Sequence, residues 1–255
     1  MPKFAVVLAA AGKSSRFTPG GLAGTAGKKP FIQLAGKPVW QHSLDAFLAR
    51  EDVVQIVVVV APEDKAWFEQ KYEALLEKEN LSVVAGGAER FDSVAAAVSL
   101  VDPSADFIAI HDAARPCIDP IMVERVFAVA ADKGNAVPVV PVSSTVKKSA
   151  DGVTVDQTVD RKELYLSQTP QVFAADQLKD AFAKKGEFAP TDEAQLLEML
   201  GWPVYLAAGC SLNRKLTCQQ DIQFAVVALA TLQNMYNRSP TQADPPDAFT
   251  DKRLA

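Results

Sequence analysis

Short apolar runs alternate along the chain with segments whose apolar residues recur every three or four positions. Residues 4–9, 55–60, 81–85, 107–110 and 136–142 are the apolar runs, several rich in Val and Ile. That is the composition of strands covered on both faces. Between them, residues 62–79 set Phe68, Tyr72, Leu75 and Leu76 at helical spacing, with Glu and Lys on the other face and Pro62 suited to a first helical turn. Residues 120–133 read the same way. The alternation predicts an α/β fold, a mostly parallel sheet flanked by helices. Ligands of such folds bind beyond the carboxyl ends of the strands, near the switch in strand order.

The alternation breaks at Ser143. From there to Phe173 the chain is polar and Lys-rich, with an Asp151-Gly152 turn signal followed by the alternating Val153-Thr154-Val155. This predicts a protruding β-hairpin arm over residues 143–162. Pattern alone leaves open whether the arm reaches a second subunit or folds on its own domain. Helical periodicity returns at residues 175–185 and 192–200, a strand follows at 204–208, and a last helix spans about residues 218–232, with Thr217 and Gln220 spaced as a capping box. Residues 1–233 are expected to form a single domain. Residues 234–255, with Ser239-Pro240 and Pro245-Pro246, show no periodicity and read as a flexible tail.

Composition narrows the function. The chain has 255 residues, 49% of them hydrophobic, and a net charge of −5. That balance argues against coating nucleic acid or an anionic membrane through bulk charge, so any bound anion must meet a local cluster of cations. The cysteines Cys117, Cys210 and Cys218 are odd in number and form no CxxC pair, which predicts neither a disulfide framework nor a thiolate zinc site. A cytoplasmic location is expected. The apolar run after Lys3 is broken by Gly12 and Lys13, unlike a secretory leader, and no run is long enough to span a bilayer.

The first strand runs into Ala10-Ala11-Gly12-Lys13-Ser14-Ser15-Arg16. Small residues there let backbone N–H groups approach an anion, although such a turn also serves simply as a tight strand-to-helix connection. A dinucleotide fingerprint would need Gly at 14. A Walker loop ending at Gly27-Lys28 would need Gly at 22 and Ser or Thr at 29, where the chain has Leu22 and Lys29.

Taken together with the segments that follow, this loop resembles the motif series of one enzyme family. The opening loop is similar to its AAGxGxR signature, and Lys28-Lys29-Pro30-Phe31-Ile32-Gln33, closed by Gly36-Lys37-Pro38, is similar to its lysine segment. Gly86-Gly87-Ala88-Glu89-Arg90-Phe91-Asp92-Ser93-Val94 resembles GGxxRxxSV, and His111-Asp112-Ala113-Ala114-Arg115-Pro116 resembles HDAARP. Val159-Asp160-Arg161, Gln168-Thr169-Pro170-Gln171, Thr191-Asp192-Glu193-Ala194 and Asn213-Arg214-Lys215-Leu216-Thr217 follow in order. In this order the motifs resemble those of the 2-C-methyl-D-erythritol 4-phosphate cytidylyltransferase family, and the likeness runs from about residue 4 to about residue 225. Ser14 stands where the family loop has Gly, residues 19–27 lengthen that loop, and Ser144-Thr145 replaces an Asp-Thr pair at the start of the arm.

The resemblance implies a Rossmann-like fold and transfer of CMP from CTP to 2-C-methyl-D-erythritol 4-phosphate, with release of pyrophosphate. It implies that Arg16 and Lys29 bind the β and γ phosphates, that Asp112 holds Mg²⁺, and that Arg161 and Lys215 grip the acceptor phosphate, assisted by Arg115, Thr145 and Thr169. Ala10, Ala11, Gly12, Gly87, Ala88, Ser93 and Ala113 would line the cytidine pocket. The expected partners are CTP and a small polyol phosphate, with no nucleic acid or membrane, and a homodimer through the arm. A cytidylyltransferase for ribitol 5-phosphate and a non-catalytic nucleotide-binding module are the alternatives. Each residue also has a plainer reading. Lys28, Lys29 and Lys37 form a basic stretch that solvent alone would explain, Asp112 suits a turn cap, and Arg161 and Lys215 suit surface ion pairs. A phosphate dianion is already nucleophilic and needs no general base. His111 is therefore expected to be packed or hydrogen-bonded, and His42, among Trp40, Leu44 and Phe47, to be structural.

Overall fold

The structure, a computed structural model, describes residues 1–12, 27–79, 81–188 and 190–237. The first half comprises β1 (Phe4–Ala9), β2 (Gln33–Leu34), β3 (Lys37–Pro38), α1 (Val39–Leu48), β4 (Val53–Val60), α2 (Lys65–Lys78), β5 (Ser82–Ala85), α3 (Arg90–Val98), β6 (Phe107–Asp112) and α4 (Pro120–Lys133). The second comprises β7 (Asn135–Pro141), β8 (Val146–Lys148), β9 (Gln157–Val159), β10 (Tyr165–Ser167), β11 (Gln171–Ala174), α5 (Ala175–Lys184), α6 (Ala194–Met199), β12 (Leu206–Ala208) and α7 (Gln220–Asn237).

Among the described residues, eight strands form the main sheet in the order β10-β7-β11-β6-β1-β4-β5, with β12 paired to β7. The β4, β1, β5 and β6 pairings are parallel, as the βαβ pattern predicts, whereas β11 runs antiparallel between β6 and β7. Strand order reverses about β1, which lies between β4 and β6 and ends with Ala9 opposite both Val59 and Asp112.

Side-chain alternation along β1 divides the core. Phe4, Val6 and Leu8 face Trp40, Phe47, Phe68, Met122 and Phe127, whereas Ala5 and Val7 face Val94, Ala97, Leu178 and Leu197. Thus α1, α2 and α4 cover one face and α3, α5 and α6 the other. Each fully buried large side chain contributes about 1.5–3 kcal/mol, so these layers hold the strand ends in place. Local signals set the helix limits. Asp119 caps α4 through Ile121 N at 3.0 Å, Pro120 occupies its first turn, and Gly134 ends it at φ 92°.

Three expectations need correction. The arm is the β8–β9 hairpin, but Val153-Thr154-Val155 lies in its turn and not in a strand. The Asp151 carboxylate accepts from Val153 N and Thr154 N, both at 2.8 Å, which curls the backbone away from a ladder and leaves Val153 87% exposed. After the arm, residues 165–167 and 171–174 form β10 and β11 of the main sheet. At α7 the capping partner of Thr217 is Asp221, not Gln220: it accepts from Thr217 N at 2.6 Å and Cys218 N at 2.9 Å, because the helix starts two residues later than its apolar pattern. That helix also runs on through residues 234–237, which the periodicity assigned to the tail; residues 238–255 lie outside the described residues.

Candidate active site

The carboxyl ends of β1 and β6 and the turn after β5 enclose a cavity of about 650 Å³. Its floor is small by necessity. A Cβ at Gly87 would lie 2.3 Å from Asp92 Cβ, and one at Gly86 would lie 2.6 Å from Ser93 Oγ and 2.8 Å from Ala11 Cβ. Only glycine lets this turn pass so close to the first turn of α3. That turn is itself fixed by a reciprocal cap between Glu89 and Asp92, and Ser93 Oγ accepts from Gly87 N at 3.1 Å. Ala9, Ala11, Gly12, Gly87, Ala88 and Ser93 form the small-residue wall; Lys29, Arg90 and Lys215 supply positive charge, and Asp112, Glu63 and Glu89 negative charge.

Asp112 is the centre of that charge. Its carboxylate receives Lys215 Nζ at 2.9 Å, Arg90 Nε at 3.3 Å and Arg115 Nε at 3.5 Å. Burial alone would raise its pKa, but Lys215, Arg90 and Arg115 outweigh it and hold the carboxyl far below the usual range. Arg90 in turn places two nitrogens on Glu193, at 2.6 and 3.0 Å. Burial opposes its charge, but Glu193 and Asp112 overcome that and keep the guanidinium protonated. A smaller cavity of about 200 Å³ adjoins, sharing Arg90, Asp112 and Lys215 with the first and adding Arg115, Thr169, Gln171, Thr191 and Asp192. The segment carrying Lys215 is pinned from three sides. Leu216 N donates to Ala114 O at 2.8 Å, Arg115 donates to Asn213 O at 2.9 Å, and Asn213 Nδ2 donates to Thr169 O at 2.8 Å.

His111 is fully buried behind this cluster. Its Nε2 lies 3.2 Å from Arg115 O, a group that can only accept, so Nε2 carries the hydrogen and Nδ1 accepts from the Thr169 hydroxyl at 3.1 Å. Thr169 Oγ1 also accepts from Asp112 N at 3.1 Å. Burial lowers the His111 pKa to about 4, with Asp112 pulling the other way and Arg115 adding to the shift, so the ring is neutral at pH 7.

A sequence profile described as 2-C-methyl-D-erythritol 4-phosphate cytidylyltransferase matches residues 4–231. The protein of that name from Rhodopirellula baltica is 39% identical over 236 residues, covering 88% of this chain and 93% of its own. A crystal structure of a 4-diphosphocytidyl-2C-methyl-D-erythritol synthase superposes with a TM-score of 0.74 at 30% identity, over 90% of this chain and 99% of its own. The 2-C-methyl-D-erythritol 4-phosphate cytidylyltransferase of Thermus thermophilus gives 0.71 at 29%, over 89% and 98%. The chain belongs to the 2-C-methyl-D-erythritol 4-phosphate cytidylyltransferase family.

The cytidylyltransferase site gathers most, not all, of the residues read from the sequence. Lys29, Asp112 and Lys215 meet at the large cavity with Ala11, Gly12, Gly87, Ala88 and Ser93, while Arg115 and Thr169 line the small one. Arg16 lies outside the described residues. Ala10 and Ala113 are buried in the core, one position out of phase with the wall, and their N–H groups are spent on Val59 O and Ala9 O; Ala9, Ala11 and Ala114 face the cavity instead. Thr145 and Arg161 lie on the arm, exposed, with Arg161 donating to Ser143 O and neither lining either of these two cavities. Of the basic stretch, Lys37 forms an exposed pair with Asp45, as the plain reading has it, whereas Lys28 is half-buried and tied to Glu63 and the buried Asp64, which solvent alone does not explain. His42 is structural, its Nε2 donating to Leu34 O at 2.7 Å. Sequence reasoning missed Arg90 and Glu193. Both lay inside recognised motifs, GGxxR and Thr-Asp-Glu-Ala, but 103 positions apart, and nothing local pairs them.

Proposed function

We propose that this crevice transfers CMP from CTP to 2-C-methyl-D-erythritol 4-phosphate. The observation that carries the reading is the convergence of Lys29, Arg90, Asp112 and Lys215 on the larger cavity beyond the ends of β1 and β6, the last three shared with the smaller cavity beside it. The larger would take the nucleotide, its small-residue wall admitting the pyrimidine and sugar. The smaller, with Arg115 and Lys215, would take the acceptor phosphate.

An acceptor phosphate oxygen attacks the α-phosphorus of CTP. The new P–O bond forms as the bond to the α–β bridging oxygen breaks, and pyrophosphate leaves with that electron pair. Two unit negative charges about 4 Å apart repel by about 4 kcal/mol at an effective dielectric of about 20, so holding the anions together is the main task. Lys215 and Arg115 neutralise the attacking phosphate, and Lys29 and Arg90 neutralise the triphosphate and the departing pyrophosphate. No described group serves as a base: His111 is buried and neutral, and the dianion needs none.

The residues fit a divalent ion. Asp112 is an ionised oxygen donor facing the cavity, and Mg²⁺ is usually held by one or two carboxylates together with substrate phosphates. Bound there, the ion would supply charge neutralisation and orientation of the phosphate oxygens. Among the described residues no group of three His, Cys, Asp or Glu is arranged for a metal, so in this reading substrate phosphates would supply the remaining ligands.

Thr145 and Arg161 supply their functional groups from the arm of a second copy in this reading, a homodimer supported by their exposure on a hairpin with its own two-stranded sheet. A compartment keeping Cys117, Cys210 and Cys218 reduced fits their free state. Among the described residues no helix is long and apolar enough to cross a membrane.

The test is pyrophosphate release with Mg²⁺ and each of CTP, ATP, GTP and UTP, offered with 2-C-methyl-D-erythritol 4-phosphate or ribitol 5-phosphate. Fast release is expected only with CTP and the methylerythritol acceptor, and Lys215→Ala should slow it at least 100-fold. Preference for ribitol 5-phosphate would move the acceptor assignment, and no release with any pair would remove the catalytic reading.

A further inference from the structure

We propose that Glu193 is a positioning residue: through Arg90 it holds the wall shared by the two cavities, and so sets the nucleotide and the acceptor in register. The inference rests on the cytidylyl transfer proposed above.

Glu193 does not line either cavity, and its side chain is 0% exposed. It therefore acts on bound molecules through another group. Both of its oxygens engage Arg90, Nη1 to Oε1 at 2.6 Å and Nη2 to Oε2 at 3.0 Å, leaving Arg90 Nε directed at Asp112 Oδ1 at 3.3 Å. This planar fork permits one orientation of the guanidinium. Arg90 is the residue so held that lines both cavities together with Asp112 and Lys215.

The backbone behind Glu193 is also held, by the sheet. Gln171 on β11 accepts from Ala194 N at 3.2 Å and donates to Asp192 Oδ2 at 2.7 Å, so one side chain grips the residues on both sides of Glu193. Asp192 Oδ1 accepts from Gln195 N at 3.1 Å and fixes the first turn of α6. The connection runs from a sheet strand through Gln171 to Glu193, Arg90 and Asp112. Stability does not explain such a pair. Desolvating a buried carboxylate and a guanidinium costs as much as their attraction returns, and apolar replacements often serve the fold as well. A pair at the wall between two anion sites has a use that an apolar pair lacks: it presents the guanidinium hydrogens that Glu193 and Asp112 do not take at a fixed place.

The experiment compares the parent enzyme, Glu193→Gln, Arg90→Gln and the double variant, measuring kcat and KM for CTP and for the acceptor, with thermal melting to count folded protein. Each single variant is expected to lower kcat/KM for both substrates at least tenfold in folded protein, and the double variant to be no worse than Arg90→Gln. A merely structural role would lower the melting temperature and leave both constants unchanged. Constants for Glu193→Gln within twofold of the parent, or a loss in the double variant equal to the product of the two single losses, would overturn the inference. If Glu193→Gln fails to fold, Glu193→Asp, which keeps the charge but is one methylene too short to hold both Arg90 nitrogens, takes its place: a tenfold loss of kcat/KM in folded protein supports the inference and constants within twofold of the parent overturn it. A parent that releases no pyrophosphate takes down the proposed function and this inference with it, whereas an active parent beside an unaffected Glu193→Gln takes down this inference alone.

Discussion

Asp112, Thr169 and His111 illustrate how one backbone position can be fixed by a proton order. The Asp112 N–H donates to Thr169 Oγ1, whose hydroxyl donates to His111 Nδ1, whose Nε2–H donates to Arg115 O. The chain holds Asp112 at the end of β6 while its carboxylate faces three cations. Thr169→Val keeps the shape and removes the hydroxyl, leaving a buried N–H and a buried ring nitrogen without partners. Each such orphan costs about 1–3 kcal/mol. Urea denaturation should therefore show Thr169→Val clearly less stable than Thr169→Ser, which keeps the hydroxyl; equal midpoints would mean that the chain carries no weight.

At the scale of elements, the cap of α7 has a pH signature. Burial pushes the Asp221 pKa up, but hydrogen bonds from Thr217 and Cys218 outweigh it and hold it at about 2, below the ordinary value of about 3.9. A depressed carboxylate contributes stability that is complete above the unfolded pKa and is lost as pH falls through the folded one. Asp221→Ala should cost about 0.5–2 kcal/mol at pH 7, and the gap to the parent should close as pH falls from about 4 to 2. A gap independent of pH would assign the effect to packing. The same element shows where sequence reading stops. Helical periodicity marked its middle, but its start depends on which of Gln220 and Asp221 reaches Thr217, and its end runs past the last strongly apolar turn. Strands β1 and β7 were legible to within one residue because most of their residues are buried on both faces, whereas Val153-Thr154-Val155 alternates like a strand yet bends around Asp151.

In the whole molecule, the site is assembled from stretches far apart in the chain, and this decides what the sequence could tell. Lys29, Asp112 and Lys215 were recognisable from their motifs, and the sheet brings them to one crevice. The pairing of Arg90 with Glu193 is a property of the fold, since it needs α3 and α6 on the same face of the sheet. The phase of the wall was likewise hidden: Ala10 and Ala113 share composition with Ala11 and Ala114, and only the register of β1 with β6 turns the second pair to the cavity. The arm's Thr145 and Arg161 stand apart from the crevice of their own chain. The account rests on the two cavities holding a triphosphate and a phosphate monoester in line. Phosphorus NMR of the enzyme with Mg²⁺, CTP and 2-C-methyl-D-erythritol 4-phosphate tests this most directly. The account predicts loss of the acceptor monoester signal, appearance of two coupled diphosphate resonances of a CDP-linked product, and one free pyrophosphate for each. An unchanged monoester signal, or orthophosphate as the phosphorus product, would contradict it.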